Sequence, residues 1–199
     1  MADALTQLVG SATPGFIRAG WSRVCALLSA LGLVLVAAGA SAQALSGGAD
    51  EVKAAYLYRF TGYIEWPDAA FAGAEAPLVI GVSGADAVYA ELTRVLVGRS
   101  VHGRAVVARR IAPGDPLDGV QVLYVGDVGL ARSPWAQRLR DRPLLLVTDG
   151  PQGLDAGGAL NFVLIEDRLR FEASMRAIER AGLKASSRLL ALAQRVVGP

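Results

Sequence analysis

Four stretches of this chain are apolar without the polar alternation of a half-exposed strand: Pro77–Gly84 (PLVIGVSG), Ala105–Ile111 (AVVARRI), Val120–Asp127 (VQVLYVGD) and Pro143–Gly150 (PLLLVTDG). Strands apolar on both faces belong inside a parallel sheet covered by helices. Helical spacing supplies the covers. Val88, Leu92 and Val95 point one way from a helix over about Asp86–Val97, and SPWAQRLR opens another with Ser133 as N-cap and Pro134 at the first helical position. Upstream, KAAYLYRFTGYIEWPD places Val52, Tyr56, Phe60 and Ile64 on one helical stripe, with Trp66-Pro67 pinning its end to the sheet. Downstream the period changes to two. ALNFVLIED and RLRFEAS read as a hairpin, followed by helices over about Met175–Arg180 and Ser186–Val197, with Gly182 as C-cap between them. The predicted fold is α/β: an open, mainly parallel, Rossmann-like sheet flanked by helices, with an antiparallel edge hairpin.

The first forty residues break this pattern. Arg18 and Arg23 precede an apolar run from Val24 to Ala38, and Ala40-Ser41-Ala42 is a small-x-small cleavage site. The run falls short of the roughly 20 apolar residues of a membrane span. Residues 1–42 therefore read as a leader with a signal peptide cut after Ala42, and residues 43–199 as one domain; an uncleaved anchor is the alternative. Losing Arg18, Arg23 and Asp3 takes the net charge from +2 to +1, no footprint for nucleic acid. The only cysteine, Cys25, leaves with the leader, so the domain has neither a disulfide nor a thiol nucleophile. Eighteen arginines against two lysines, with abundant Ala and Gly, suggest a GC-rich bacterial genome and hence the periplasm.

Candidate chemistry is sparse. GVSGAD sits where a strand meets a helix but lacks the third glycine of a dinucleotide loop. Gly84, Asp127 and Asp149 lie at the carboxyl ends of predicted strands, where open sheets bind ligands, so a small-ligand crevice is an expectation there. The single histidine, His102, sits in a loop and can build neither a metal cage nor a Ser-His pair, and G-x-S-x-G is absent. The reading is of a protein that is not an enzyme and carries no cofactor and no metal.

Two surfaces fit association instead. Tyr58 and Arg59 fall off the inward stripe, and an exposed Tyr-Arg pair has the composition of an interface hot spot. Arg168, Arg170 and Glu172 alternate with Leu169 and Phe171 and so share the outer face of the hairpin. An unpaired edge invites another chain, two arginines along it can clamp a carboxylate, and edge charges also simply prevent aggregation.

Read together, EVKAAYLYRFTGYIEWP, LVIGVSG, GRSVHGRAVVARRI, VLYVGD and LLLVTDG, with GGALNFVLIEDRLRFEASMRAIERAGLKASSRLLALA closing the chain, resemble the YfiR family. The resemblance implies a periplasmic, self-associating, non-enzymatic repressor, expected as a homodimer. Its implied partner is the periplasmic sensor domain of an inner-membrane diguanylate cyclase, and an outer-membrane OmpA-like lipoprotein is a second implied partner. The family's type member carries disulfide-forming cysteines; residues 43–199 carry none, so redox sensing is not implied. The alternative of another class is a periplasmic solute-binding module, which a transporter permease encoded next door would favour over a neighbouring cyclase.

Overall fold

The four doubly apolar runs are neighbours in one sheet of the computed structural model, which describes residues 48–126, 139 and 142–198. The expected leader, the helix expected over 133–140 and Asp127 lie outside the described residues. Strands β2 (Leu78–Ser83), β4 (Arg104–Arg110), β5 (Val122–Val125) and β6 (Leu145–Asp149) are mutually parallel, in the order β4-β2-β5-β6. Successive residues of the central strands feed opposite layers. Val122, Tyr124, Leu145 and Val147 enter one core, while Leu123, Val125, Leu144 and Leu146 enter the other with Ile111 and Val120. A strand with both faces covered has no polar position to spare, which is why the runs of β2, β5 and β6 show no alternation; β4 departs from the expectation, being covered on one face, with Val106 buried and Val107 39 % exposed.

The first layer is closed by helix α1, helical over residues 48–61, and by α2 (Asp86–Val95), whose Val88 and Leu92 are buried as the spacing predicts. On α1 the buried seam is Ala54, Leu57, Phe60 and Thr61. The expected stripe is corrected at its outer end: Val52 is 42 % exposed, whereas Phe60 and Ile64 are buried. Four evenly spaced apolar residues fixed the period but not the azimuth, because Ala54 and Leu57 offer an equally apolar line. Trp66 pins the end of this segment as expected, its indole N–H donating to the Gln121 carbonyl at 3.2 Å. The Gln121 side chain bonds at both of its ends, accepting from the Val79 N–H at 2.8 Å and donating to the Ala70 carbonyl at 2.6 Å.

The sheet continues beyond β6 with β7 (Leu160–Ile165), parallel to it, and β8 (Arg168–Ser174), antiparallel to β7. At the far side β3 (Ser100–Val101) turns back onto β4. Helix α3 (Met175–Arg180) has the expected bounds; its N-cap Ser174 accepts from the Ala177 N–H, and Gly182 (φ +67°) follows it in the left-handed conformation a C-cap requires. The helix expected over Ser186–Val197 is shorter. Helix α4 spans Ser187–Leu192, Ala193 is extended, and Arg195–Val197 forms β10, parallel to β8. The Gln194 N–H donates to the Phe171 carbonyl at 2.7 Å, so this turn of chain satisfies a sheet edge rather than its own helix. The hairpin stands at that end of the sheet as expected, with β10 one step further out. Apart from the sheet, β1 (Ile64–Glu65) pairs antiparallel with β9 (Lys184–Ala185). Among the described residues no helix is long and apolar enough to cross a membrane.

Candidate functional site

The aromatic residues of α1 meet those of the hairpin. Phe162 and Phe171, directly opposite on β7 and β8, stand on the α1 side of the sheet. Tyr56 lies 6.0 and 5.9 Å from their ring centroids, and Phe60 5.8 and 5.0 Å. Tyr124 completes the cluster at 6.0 Å from Phe162. Phe60 stacks on Phe162 while the other pairs are tilted or edge-on, and contacts of this kind add to the burial of each ring.

A charged anchor lies beside the cluster. Lys53 on α1 reaches Asp149 at the end of β6 with Nζ 2.6 Å from Oδ2, and the Tyr124 hydroxyl donates to the same oxygen at 3.0 Å. Burial, and then the Asp149 carboxylate, push the Tyr124 phenol far above its ordinary range, so it serves as a neutral donor throughout physiological pH. Asp149 thus has its carboxylate engaged in holding α1. Gly84 (φ +68°) turns β2 toward α2, and Gly126 packs there against Ala85, its N–H donating to the Ser83 carbonyl at 3.0 Å. The carboxyl-edge positions Gly84 and Asp149 therefore carry local contacts, and the third, Asp127, lies outside the described residues.

On the opposite face of β7 a polar column crosses the sheet. The Thr148 hydroxyl donates to Asn161 Oδ1 at 2.9 Å, and Asn161 Nδ2 donates to the Gly150 carbonyl at 2.9 Å and, at 3.4 Å, to Glu172 Oε2. Glu172 Oε1 takes the Arg195 Nε–H at 2.7 Å. Thr148 and Asn161 are buried, and the loop carrying Gly153 and Gly158 folds directly over them. The second glycine of GGALNF acquires a physical reason: a Cβ on Gly158 would crowd the Thr148 hydroxyl, as one on Gly153 would crowd the Asn161 amide.

Glu172 accordingly differs from its strand neighbours. It shares a face with Arg168 and Arg170, as the alternation predicts, but its side chain is only 14 % exposed beneath Arg195, whereas both arginines are exposed. The Arg195 hydrogen bond is the main cause holding the Glu172 carboxyl below its ordinary range. A depressed carboxyl contributes stability that is complete above the ordinary carboxylate range and is lost as pH falls through the lower folded value. Acid below the ordinary carboxylate range is thus expected to loosen β10, seen as faster trimming of the C-terminus by an acid-active carboxypeptidase. Glu172→Gln should trim fast already at neutral pH, and trimming equal to wild type there would remove the ion pair from its latching role.

The remaining sequence candidates are rearranged. Tyr58 is half-buried with the Arg99 guanidinium 5.8 Å from its ring, so it parts company with Arg59. Arg59 borders a cleft between α1, β8 and α4 that Tyr56, Tyr63, Phe171 and Leu192 also line, whereas Arg170 alternates with Phe171 and belongs to the other face of β8. The side chains of Arg59, Arg168 and Arg170 have no ion pair or hydrogen bond among the described residues. His102 (φ +52°) is an exposed turn residue between β3 and β4, as expected. Lys53, Tyr124, Thr148 and Asn161 were not legible as site residues, since their roles depend on strand neighbours distant in sequence. Among the described residues no group of three or more His, Cys, Asp or Glu side chains could hold a metal ion.

The family model described as YfiR/HmsC-like matches residues 50–194. No curated protein matches the chain.

Proposed function

Since the chain belongs to the YfiR/HmsC-like family, we propose that it is a non-enzymatic periplasmic repressor which binds the periplasmic sensor domain of an inner-membrane diguanylate cyclase and lowers cyclic-di-GMP output. The observation that carries this reading is the family match, which extends from the first turn of α1 to the residue before β10. Export would follow cleavage of residues 1–42 after Ala42. In this reading partner and self-association contacts fall on side chains the fold leaves uncommitted: Arg59 on α1, Arg168 and Arg170 on β8, and the exposed Leu164 and Ile165 before the hairpin turn. Exposed apolar and arginine side chains gathered around a sheet end suit a protein partner better than solvent. An OmpA-like lipoprotein competing for the same surface, and a homodimer, belong to the same proposal.

Deleting the gene is expected to raise cellular cyclic-di-GMP several-fold and to thicken biofilm, with restoration by the wild-type gene. Nucleotide extraction from isogenic strains measures it. An unchanged level in a strain that demonstrably expresses the neighbouring cyclase would overturn the repressor reading.

A further inference from the structure

We propose that β8 is the self-association edge of the molecule, pairing antiparallel with β8 of a second copy, and that β10 is a latch which must leave before it can. The inference rests on the homodimer reading above and gives that dimer a surface. Coverage comes first. β8 runs for 7 residues, Arg168–Ser174, but β10 pairs only with Glu172, Ala173 and Ser174. Toward the hairpin turn that side of β8 carries one further backbone bond among the described residues, from the Gln194 N–H to the Phe171 carbonyl. An edge longer than its cover invites another strand. The cover is also lightly held. All three β10 residues are exposed, their side-chain tie to β8 is Arg195 on Glu172, and Ala193 before them is already extended (φ −69°, ψ 138°), a ready pivot.

Register then selects the occupant. The Phe171 carbonyl points out of the edge toward Gln194, so Leu169, Phe171 and Ala173 present their N–H and C=O groups there, while Arg170 and Glu172 turn theirs to β7. Two β8 strands centred on Phe171 overlap over all 7 residues, bonding Phe171 to its own copy and Leu169 to Ala173 of the second copy. Between those bonds Arg170 stands directly opposite Glu172 of the second copy, and Glu172 opposite Arg170 of the second copy. These are the non-hydrogen-bonded positions, where side chains approach closest. Moving the two-fold centre by one residue either way sets Arg170 or Glu172 opposite itself, and like charges directly opposite are unfavourable. RLRFEAS is therefore self-complementary in its longest register, as an isologous interface requires. Glu172 has two alternative arginines. Within one copy it takes Arg195, which is 59 % exposed; in the pair it takes Arg170, whose side chain has no ion pair or hydrogen bond among the described residues. The Asn161 amide holds its other oxygen at 3.4 Å, so the carboxylate is in place for either.

Sedimentation equilibrium of the purified protein tests it. Arg195→Gln is expected to tighten self-association by about tenfold, since a dimer opens two latches and an exposed ion pair is worth a factor of roughly three at each. Arg170→Glu, added to the Arg195→Gln protein, should weaken association by about tenfold or more, because carboxylates then face one another. Mixing that protein with one carrying Glu172→Arg and Arg195→Gln should restore it, positions 170 and 172 being acidic in one copy and basic in the other. Circular dichroism verifies each fold; should the Glu172→Arg protein fail to fold, the first two variants still decide. Equal association of wild type and Arg195→Gln, or of Arg195→Gln with and without Arg170→Glu, would overturn this interface while leaving a homodimer built on another surface. Monomers in every variant up to roughly 1 mM would overturn the interface and the homodimer together, leaving β8 to a strand from another protein.

Discussion

Phe162→Ala is expected to cost about 3–5 kcal/mol of folding stability, the range for emptying a buried phenylalanine site. Phe162 has no exposed surface, and its ring is the point at which Tyr56 and Phe60 of α1 and Tyr124 of β5 converge on the hairpin. The site cannot collapse inward, because its neighbours are fixed by strand pairing on one side and by the Lys53–Asp149 anchor on the other. Domains of this size are stable by roughly 5–15 kcal/mol, so the variant would lie near its unfolding threshold. Urea denaturation followed by tryptophan fluorescence measures the loss. A cost under about 1 kcal/mol, the level of a tolerated swap, would mean that α1 is held to the sheet by something other than this cluster.

Gly158→Ala adds one methyl group and is expected to cost more than about 2 kcal/mol, as overpacking of a tight buried site does. The new Cβ would lie 2.6 Å from Thr148 Oγ1 and 2.7 Å from the Gly153 carbonyl oxygen. Neither neighbour yields readily. The threonine hydroxyl is committed to Asn161, and the carbonyl accepts the Gly158 N–H at 3.0 Å. Gly158→Ala and Thr148→Ala should therefore be non-additive, the second change removing part of the clash made by the first. Strict additivity in thermal unfolding would place the strain in the loop backbone. Gly157→Ala separates the two causes, for a Cβ there meets open space and only the positive φ of 98° opposes it.

The parts of the fold governed by burial were readable from the chain. β2, β4, β6, the hairpin and α3 fall where doubly apolar runs, two-residue alternation and a serine cap place them. Arg195–Val197 escaped because SSRLLALAQRVV continues a helical pattern on paper; what ends the helix is a carbonyl of β8, a group invisible in a linear reading. The β-branched Val196-Val197 pair was the one available signal. Arg168, Arg170 and Glu172 share one face of β8 as the alternation predicts, but the cover that Arg195 lays over Glu172 was not readable, because neighbours along one strand can be counted whereas the pairing of β10 with β8 is made by the sheet. Asp149 was marked for its place at a strand end and proves to be held by Lys53, which periodicity treats as an ordinary charge on a surface helix.

The short pairing of β1 with β9 bears on the order of events in folding. It joins Ile64 to Ala185 and Glu65 to Lys184, and the Ser186 N–H closes it on the Tyr63 carbonyl at 2.9 Å. The loop so closed runs through every strand of the main sheet except β10, and closure of so long a loop is an entropic cost met only when the intervening contacts already exist. A chain emerging N-terminus first from a ribosome or a translocation pore would hold α1 and β1 without their partner until nearly its last residues appear. Completion is in that sense timed by the C-terminus, and until then the aromatic side chains of α1 are available to chaperones.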